Sequence, residues 1–582
     1  MSDSFFPEDI FYGSTGPHDA AIMIVGESWG STENQQKLCF VGASGKELRE
    51  RLLPECNIDP DKCYMTNVIP AHPSGNQMSE FFTKTVAAKK LRLEPTKGLF
   101  PKPIILEAVN RLHQQIAAVK PKIIIGFGNY TLWALTDDCF SIGDEYGYKV
   151  PMGIISWRGS QLYTARTVFE MAEVPYLPTI HPAAYLRNWT WRYQVKHDLK
   201  QRLPKVYDNW ASPNYQFLVR PSYEDTIHSL EGLVDALDAK LITRVAADIE
   251  TRRGHIACIS LAWSARDAIC IPFMIIAEPH HYWNEGEEII IIGLMRQVLN
   301  HPHIELVGQN FLYDDQYIGL YWCTPCRISN DTMIKHHVAW PGTPRGLHYL
   351  SSMYCGYHRY WKDESKDWRP GMGEEQLWVY CCKDAVTTYE VDIALDEVID
   401  QLNLRDQYKF QMRQWYMVRD MMLRGVLVDK NRRVAAALEL DEEIQKHQIY
   451  LDRLIPPDVW PRDPKKASWI RSPTQLKQIF YDVLGQKVIK NKGKVTTNDT
   501  ALELIGQREP LLEPITTALR EIRSLGVFFS TFTQAKLDPD GKMRSSYDPA
   551  GTETYRWSSK KNAFDRGANM QNLPEGVDVN EQ

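Results

Sequence analysis

Residues 245–263 read VAADIETRRGHIACISLAW, and the reading of the middle of the chain turns on them. An apolar run, Val245, Ala246 and Ala247, leads into Asp248 and Glu250. Arg252, Arg253 and Gly254 then supply a tight turn, after which residues 255–263 resume an apolar run. This pattern is strand, turn, strand, and residues 268–273 add a third strand to the meander. Side chains two apart on a strand share a face, so Asp248 and Glu250 project together. The apolar run before them puts both at the buried end of the strand, where a carboxylate is costly unless it is paired or binds metal.

Working outward, residues 304–309 read as another strand, and Asn310-Phe311-Leu312-Tyr313-Asp314 follows it and opens a helix. A long helical pattern covers residues 374–402 and carries Tyr380-Cys381-Cys382-Lys383-Asp384. The four-residue spacing places the Tyr380 phenol and the Asp384 carboxylate side by side on that helix. Phosphodiester cleavage by two metal ions needs carboxylates that hold divalent cations about 3.5–4 Å apart, and a group that orients the attacking water. Oxygen-only ligands suit Mg²⁺ or Mn²⁺, two per site.

In this order, Asp-x-Glu, Asn-x-x-x-Asp and Tyr-x-x-x-Asp resemble the three motifs of the DEDDy 3′→5′ nuclease superfamily. The resemblance implies a ribonuclease H-like domain in which Asp248, Glu250 and Asp384 hold the first metal while Asp248 and Asp314 position the second. Tyr380 would orient the water, and Asn310 would support the second motif and touch DNA. A bare nuclease of this type could equally be a ribonuclease, and the following segments decide between the two. Residues 423–429 (LRGVLVD), 472–484 (SPTQLKQIFYDVL), 496–504 (TTNDTALEL) and 519–532 (LREIRSLGVFFSTF) resemble, in order, the thumb of family A DNA polymerases. Residues 543–559 and 569–574 resemble that family's entry to the palm, and Arg556, Gln571 and Asn572 match positions that touch primer–template DNA there. Tyr555 stands where the family has Gly, and residues 563–567 are inserted. The basic loop 487–494 (KVIKNKGK) suits either a thumb tip on duplex phosphates or a solvated loop. The family's metal-binding and His-Asp-Glu polymerase motifs are not in the sequence. The match is therefore to the front portion of a phage-type family A polymerase, with a second polypeptide expected to carry palm and fingers.

The first two hundred residues read as a separate α/β unit, with short apolar runs at 20–26, 122–128 and 174–181 and a helix at 103–119. Gly26-Glu27-Ser28-Trp29-Gly30, residues 39–45 (CFVGASG), Thr66-Asn67-Val68 and residues 177–188 (LPTIHPAAYLRN) resemble the motifs of family 4 uracil-DNA glycosylases. The resemblance implies that Phe40 stacks on a flipped base, Asn67 binds its edge, His181 stabilises negative charge on its oxygen and Glu27 orients water. Ser28-Trp29 replaces the family's Ala-Pro and would put a bulky ring in the catalytic turn. Cys39, Cys56, Cys63 and Cys139 lack the family's cluster spacing, so no iron–sulfur cluster is expected. Arg187–Arg192 (RNWTWR) suits either a DNA-facing helix start or a helix packed with Trp inward. Cys323 and Cys326, with His336 and His337 downstream, carry half the spacing of a zinc site and are read as ordinary buried thiols.

The chain has 582 residues, 43% hydrophobic and 24% charged, with a formal net charge of −6. That balance fits several soluble domains and gives no global basic field; DNA would be met through local patches. Eleven scattered cysteines form no disulfide framework, and no leader or membrane-length apolar run is evident, which points to the cytoplasm. The expected architecture is α/β multidomain. A glycosylase-like α/β/α sandwich spans 1–205, a linker 206–235, the exonuclease domain 236–402, and a mainly helical thumb with the start of a palm sheet 403–582. The expected function is a proofreading exonuclease portion of a DNA polymerase. The rivals are a non-catalytic DNA-binding or assembly subunit and a stand-alone nuclease that also excises uracil.

Overall fold

The computed structural model describes residues 4–165, 173–207, 210–278, 280–366, 373–460, 468–491 and 493–572. The chain divides into two compact units, residues 1–310 with 327–408 and residues 311–326 with 409–582.

The first unit holds two sheets. The earlier one has the strand order Cys63–Ile69, Ile22–Ser28, Ile123–Phe127, Pro175–Thr179, Leu162–Tyr163, parallel except for its last pair. Alternation along the strands feeds two cores: Met23, Val25 and Ile124 pack on one face, Ile24, Ile123 and Ile125 on the other. Cys63–Ile69 is buried at every position, as a strand covered by helices on both faces must be. Pro103–Val119 begins with Pro, whose missing N–H has no partner in a first turn anyway, and ends at a left-handed Lys120. This is the expected α/β/α sandwich.

The later sheet has the order Ile328–Asp331, Glu305–Gly308, Arg244–Arg252, His255–Ala262, Asp267–Pro272, Gln216–Leu218. Its centre is the meander read from the sequence. Arg253 (φ 52°) and Gly254 (φ 79°) form the turn, and two positive φ values are what a two-residue hairpin matching strand twist requires. The helix Glu374–Gln401 crosses the sheet, with Cys381, Cys382 and Ala385 against Ala246, Ala257, Cys258 and Cys270. These small side chains let helix and sheet approach closely, which accounts for four buried thiols in one place. The linker reading of 206–235 needs correction. Gln216–Leu218 pairs with Asp267–Ile269 as an edge strand of this sheet, and Tyr223–Asp238 is a helix opened by a Ser222–Asp225 capping box.

In the second unit, helices Lys430–Leu454, Asp499–Arg508 and Glu513–Phe528 bury Ile444, Leu451, Leu502, Ile505, Leu519 and Ile522 in a common core. The strand-like end forms two separate ribbons, Val426–Leu427 with Lys542–Met543 and Ser545–Asp548 with Ser558–Lys561. Met543, Arg544 and Ser545 are buried, so this stretch is covered within its own unit, although Val426 and Leu427 stay exposed. The inserted residues 563–567 dock on the helix Leu312–Tyr321: Tyr317 donates to the Ala563 carbonyl (3.0 Å), and the Phe564 ring lies 4.4 Å from that of Tyr317. The 487–494 loop forms a short hairpin between Lys490–Asn491 and Lys494–Val495.

Candidate active sites

The pleat that puts Asp248 and Glu250 on one face also sets them opposite Ser260 and Cys258 of the next strand. Carboxylate oxygens of Asp248, Glu250 and Asp384 lie within 4.8 Å of one another. Crowding of this kind penalises full ionisation. Glu250 is pushed up to about 8, first by burial and further by the Asp384 charge, against the pull of Arg252 and Lys362. Asp384 accepts from the Trp361 indole N–H (2.6 Å) and from the Lys362 ammonium. Lys362 also donates to the Tyr380 hydroxyl (2.8 Å) and lies 4.9 Å from the Tyr380 ring centroid. Burial alone would lower the Lys362 ammonium, but Asp384 and Asp248 outweigh it and hold it above its ordinary value. The Tyr380 phenol is raised by burial and by the surrounding carboxylates, so it stays protonated and able to donate. A cation thus already sits among the carboxylates. This cluster of carboxylate oxygens fits divalent metal ions.

Asp314 sits buried in the first turn of Leu312–Tyr321, a helix that groups with the second unit. Asn310 is left-handed (φ 56°), as Asn tolerates, and its backbone N–H donates to Asp331 (3.1 Å), which also caps the helix Thr332–Ala339. Trp361 and Lys362 escaped sequence reading, because an aromatic–lysine pair 22 residues before Asp384 has no periodic relation to it.

In the glycosylase-like region, Glu27, Phe40, Asn67 and His181 line one cavity of about 470 Å³, together with Arg187 and Trp191. Glu27 ends the first strand and accepts from the Tyr130 N–H (3.2 Å). Burial raises its carboxyl to about 7 against those backbone N–H groups and Arg187. His181 caps a short helix through Nδ1, which accepts from the Ala183 N–H (3.2 Å). Burial, then Arg187, lowers His181 to about 4, so the ring is neutral near pH 7 with its proton on Nε2. Asn67 donates to the Ser28 carbonyl (3.3 Å), and its buried Oδ1 has no protein partner. Phe40 holds φ 53°, a strained value for an aromatic residue and one that suits a functional position. The buried Trp29 ring packs against Tyr12, 5.6 Å between centroids, and Trp29 also lines the cavity. Arg192 is committed to Glu47 and Glu55, while Trp189 is exposed. Cys39, Cys56 and Cys63 each donate to a different backbone carbonyl.

Gly26 leaves room for this cavity. A Cβ there would lie 2.5 Å from Asn67 Nδ2 and 2.8 Å from Phe40 Cζ. Gly26→Ala is therefore expected to weaken binding of uracil-containing single-stranded DNA by about ten-fold, the order of effect of a displaced binding group. Fluorescence anisotropy checks this, and unchanged affinity would mean that the base does not enter here.

The remaining residues read from the sequence divide. Arg556, Gln571 and Asn572 are exposed, with Gln571 donating to the Trp557 carbonyl (3.1 Å). Tyr555 adopts φ 61°, the conformation a Gly would take without strain. Leu573 and Pro574 lie outside the described residues. Of the cysteines read as buried, Cys326 is buried and Cys323 is exposed; His336 is bonded to Tyr354 and Thr343.

Comparison with known proteins gives two matches within the chain. Residues 13–203 match the uracil DNA glycosylase superfamily, and residues 224–400 match a 3'-5' exonuclease family. One chain therefore carries a glycosylase-superfamily region followed by a 3′-5′ exonuclease region. The type-4 uracil-DNA glycosylase of Sulfurisphaera tokodaii is 28% identical over 183 residues, 31% of this chain and 68% of that protein. The type-4 enzyme of Pyrobaculum aerophilum is 26% identical over 203 residues, 34% and 85% of the two chains. Among solved structures, the POL domain of Pol1 from M. smegmatis, in complex with DNA primer-template and dNTP, superposes with a TM-score of 0.45 at 16% identity. That match covers 62% of this chain and 56% of the other.

Proposed function

We propose that this chain is the proofreading exonuclease portion of a family A DNA polymerase, removing nucleotides from 3′ ends of DNA. The observation that carries the reading is the cluster of Asp248, Glu250 and Asp384 beside a protonated Tyr380. Divalent ions held by Asp248, Glu250 and Asp384 would neutralise charge at the scissile phosphate and acidify the attacking water. Tyr380 donates to that water and orients it in line with the P–O3′ bond. The water oxygen bonds to phosphorus, its proton passes to solvent through a neighbouring carboxylate, and the P–O3′ bond breaks as O3′ takes a proton from solvent. A nucleoside monophosphate leaves, and the shortened strand keeps a 3′-hydroxyl.

The test is release of mononucleotides from a 3′-frayed duplex in Mg²⁺ or Mn²⁺. Release that persists in excess chelator refutes the reading. Extension of a primer would require palm and fingers from a second polypeptide, with nucleotide addition appearing only in the mixture. Incorporation by the purified chain alone argues against that division of labour. Among the described residues no helix is long and apolar enough to cross a membrane, and a cytoplasmic setting beside DNA fits this role.

A second activity, uracil excision, is favoured by the unpartnered Asn67 Oδ1 in a cavity that also holds Phe40 and a neutral His181. Its pH dependence follows from Glu27. Burial raises this group, so it is neutral below about 7 and a water-orienting carboxylate above. Excision should fall about ten-fold per pH unit below that midpoint and level off above it. Glu27→Gln should flatten the profile at a low rate. An unchanged profile in Glu27→Gln would show that the carboxylate does not act; absence of excision at every pH favours a binding role for the region.

A further inference from the structure

Arg202 ends the helix Thr190–Arg202 of the glycosylase-like region, yet apart from a 3.5 Å bond to Gln161 Oε1 its hydrogen bonds go to the exonuclease region. Nη1 donates to the carbonyls of Cys355 (2.9 Å) and Gly356 (3.0 Å), and Nη2 to that of Ser352 (2.8 Å). These carbonyls close the helix Leu347–Tyr354, whose last turn has no intrahelical donors for them. A buried guanidinium satisfies them and opposes the negative end of the helix dipole. Lys205 reaches the Gly356 carbonyl as well.

From there residues 355–360 run as a strap along the glycosylase-like region. The Gln161 N–H donates to the His358 carbonyl (2.7 Å), and the His358 N–H to Gln161 Oε1 (3.3 Å). The Tyr360 N–H donates to Ser160 Oγ (3.2 Å), and the Tyr360 ring meets Trp157 edge-on at 5.1 Å. The next two residues are Trp361 and Lys362, the pair that holds Asp384 and Tyr380. On its other side the strap is tied to the helix that carries Asp384, through the Gly356 N–H and Glu390 (2.6 Å).

We propose that the glycosylase-like region is a positioning element of the exonuclease site. Ser160, Gln161 and Arg202 fix the strap, and the strap sets Trp361 and Lys362 against Asp384, so that this carboxylate meets its metal in one orientation. The inference rests on the exonuclease reading above and is independent of any base excision. It gives the region a role that survives loss of its own chemistry.

The test is Mn²⁺ binding to the full-length chain, followed by electron paramagnetic resonance. Arg202→Met and Gln161→Ala are each expected to weaken binding by about ten-fold, the effect of losing support behind a ligand. Circular dichroism should stay native, and Arg202→Lys should restore part of the affinity. In a Trp361→Phe background, where one of the two bonds to Asp384 is gone and only that of Lys362 remains, both substitutions should add less than they do alone. If Arg202→Met does not fold, Gln161→Ala carries the test: it removes the Oε1 acceptor of the His358 and Arg202 donors and the Nε2 donor to the Trp210 carbonyl, and leaves the guanidinium in place. Wild-type affinity in the folded variants, or full additivity with Trp361→Phe, overturns the strap alone. A wild-type chain that binds no Mn²⁺ overturns the exonuclease reading as well.

Discussion

Replacing Asp248 and Glu250 together by alanine should lower 3′-nucleotide release on the order of 10⁴-fold, the scale seen when one member of a catalytic unit is removed. The two side chains share one strand face and converge with Asp384 within 4.8 Å. Water cannot take over from them, because the oxygen positions are set by the strand. The fold should survive: neither carboxylate contributes to the apolar core, and Glu250 is raised to about 8 because its charge is unwelcome where it sits. The double variant should therefore melt no lower than wild type in metal-free buffer. A rate within ten-fold of wild type, measured on a 3′-labelled oligonucleotide in Mg²⁺, would show that the metal-binding carboxylates lie elsewhere. Tyr380→Phe should cost less, since it removes only the hydroxyl that orients water and leaves the carboxylates in place.

The second large effect is on stability. Asp198 is fully buried and accepts from Arg158 Nε (3.0 Å), from a second Arg158 nitrogen and from Thr179 Oγ1 (2.8 Å). Arg158 in turn donates to Ser352 Oγ (2.9 Å), so the pair lies between the glycosylase-like and exonuclease regions of the first unit. Asp198→Ala strands a buried guanidinium with one hydroxyl partner and should destabilise that unit by about 3–5 kcal/mol. In a unit of about 390 residues the melting temperature should fall by roughly 4–6 °C. Removing both charges, as in Arg158→Met with Asp198→Ala, should recover much of the loss, because the stranded charge and not the lost attraction dominates. Calorimetry on the three variants decides. A single variant within about 1 kcal/mol of wild type would mean that water reaches the pair.

Local rules carried much of the reading. Period-two alternation placed Asp248 and Glu250 on one face, the Arg253-Gly254 turn set the meander, and four-residue spacing put Tyr380 beside Asp384. Each depends only on backbone geometry within a few residues. The glycosylase-like residues were legible for another reason: their motifs resemble those of a known family, and all four reach one cavity. The linker reading failed because Gln216–Leu218 is a three-residue edge strand, too short to show alternation and made a strand only by pairing with Asp267–Ile269. The direction of the Trp29 ring likewise depended on Tyr12, 17 residues earlier in the chain. Lys362 among the carboxylates, Arg202 on the end of another region's helix and the Arg158–Asp198 pair left no pattern in the sequence at all. Their partners are brought together by the path of the chain through space, and a buried charge is stable only where that path supplies all of them at once.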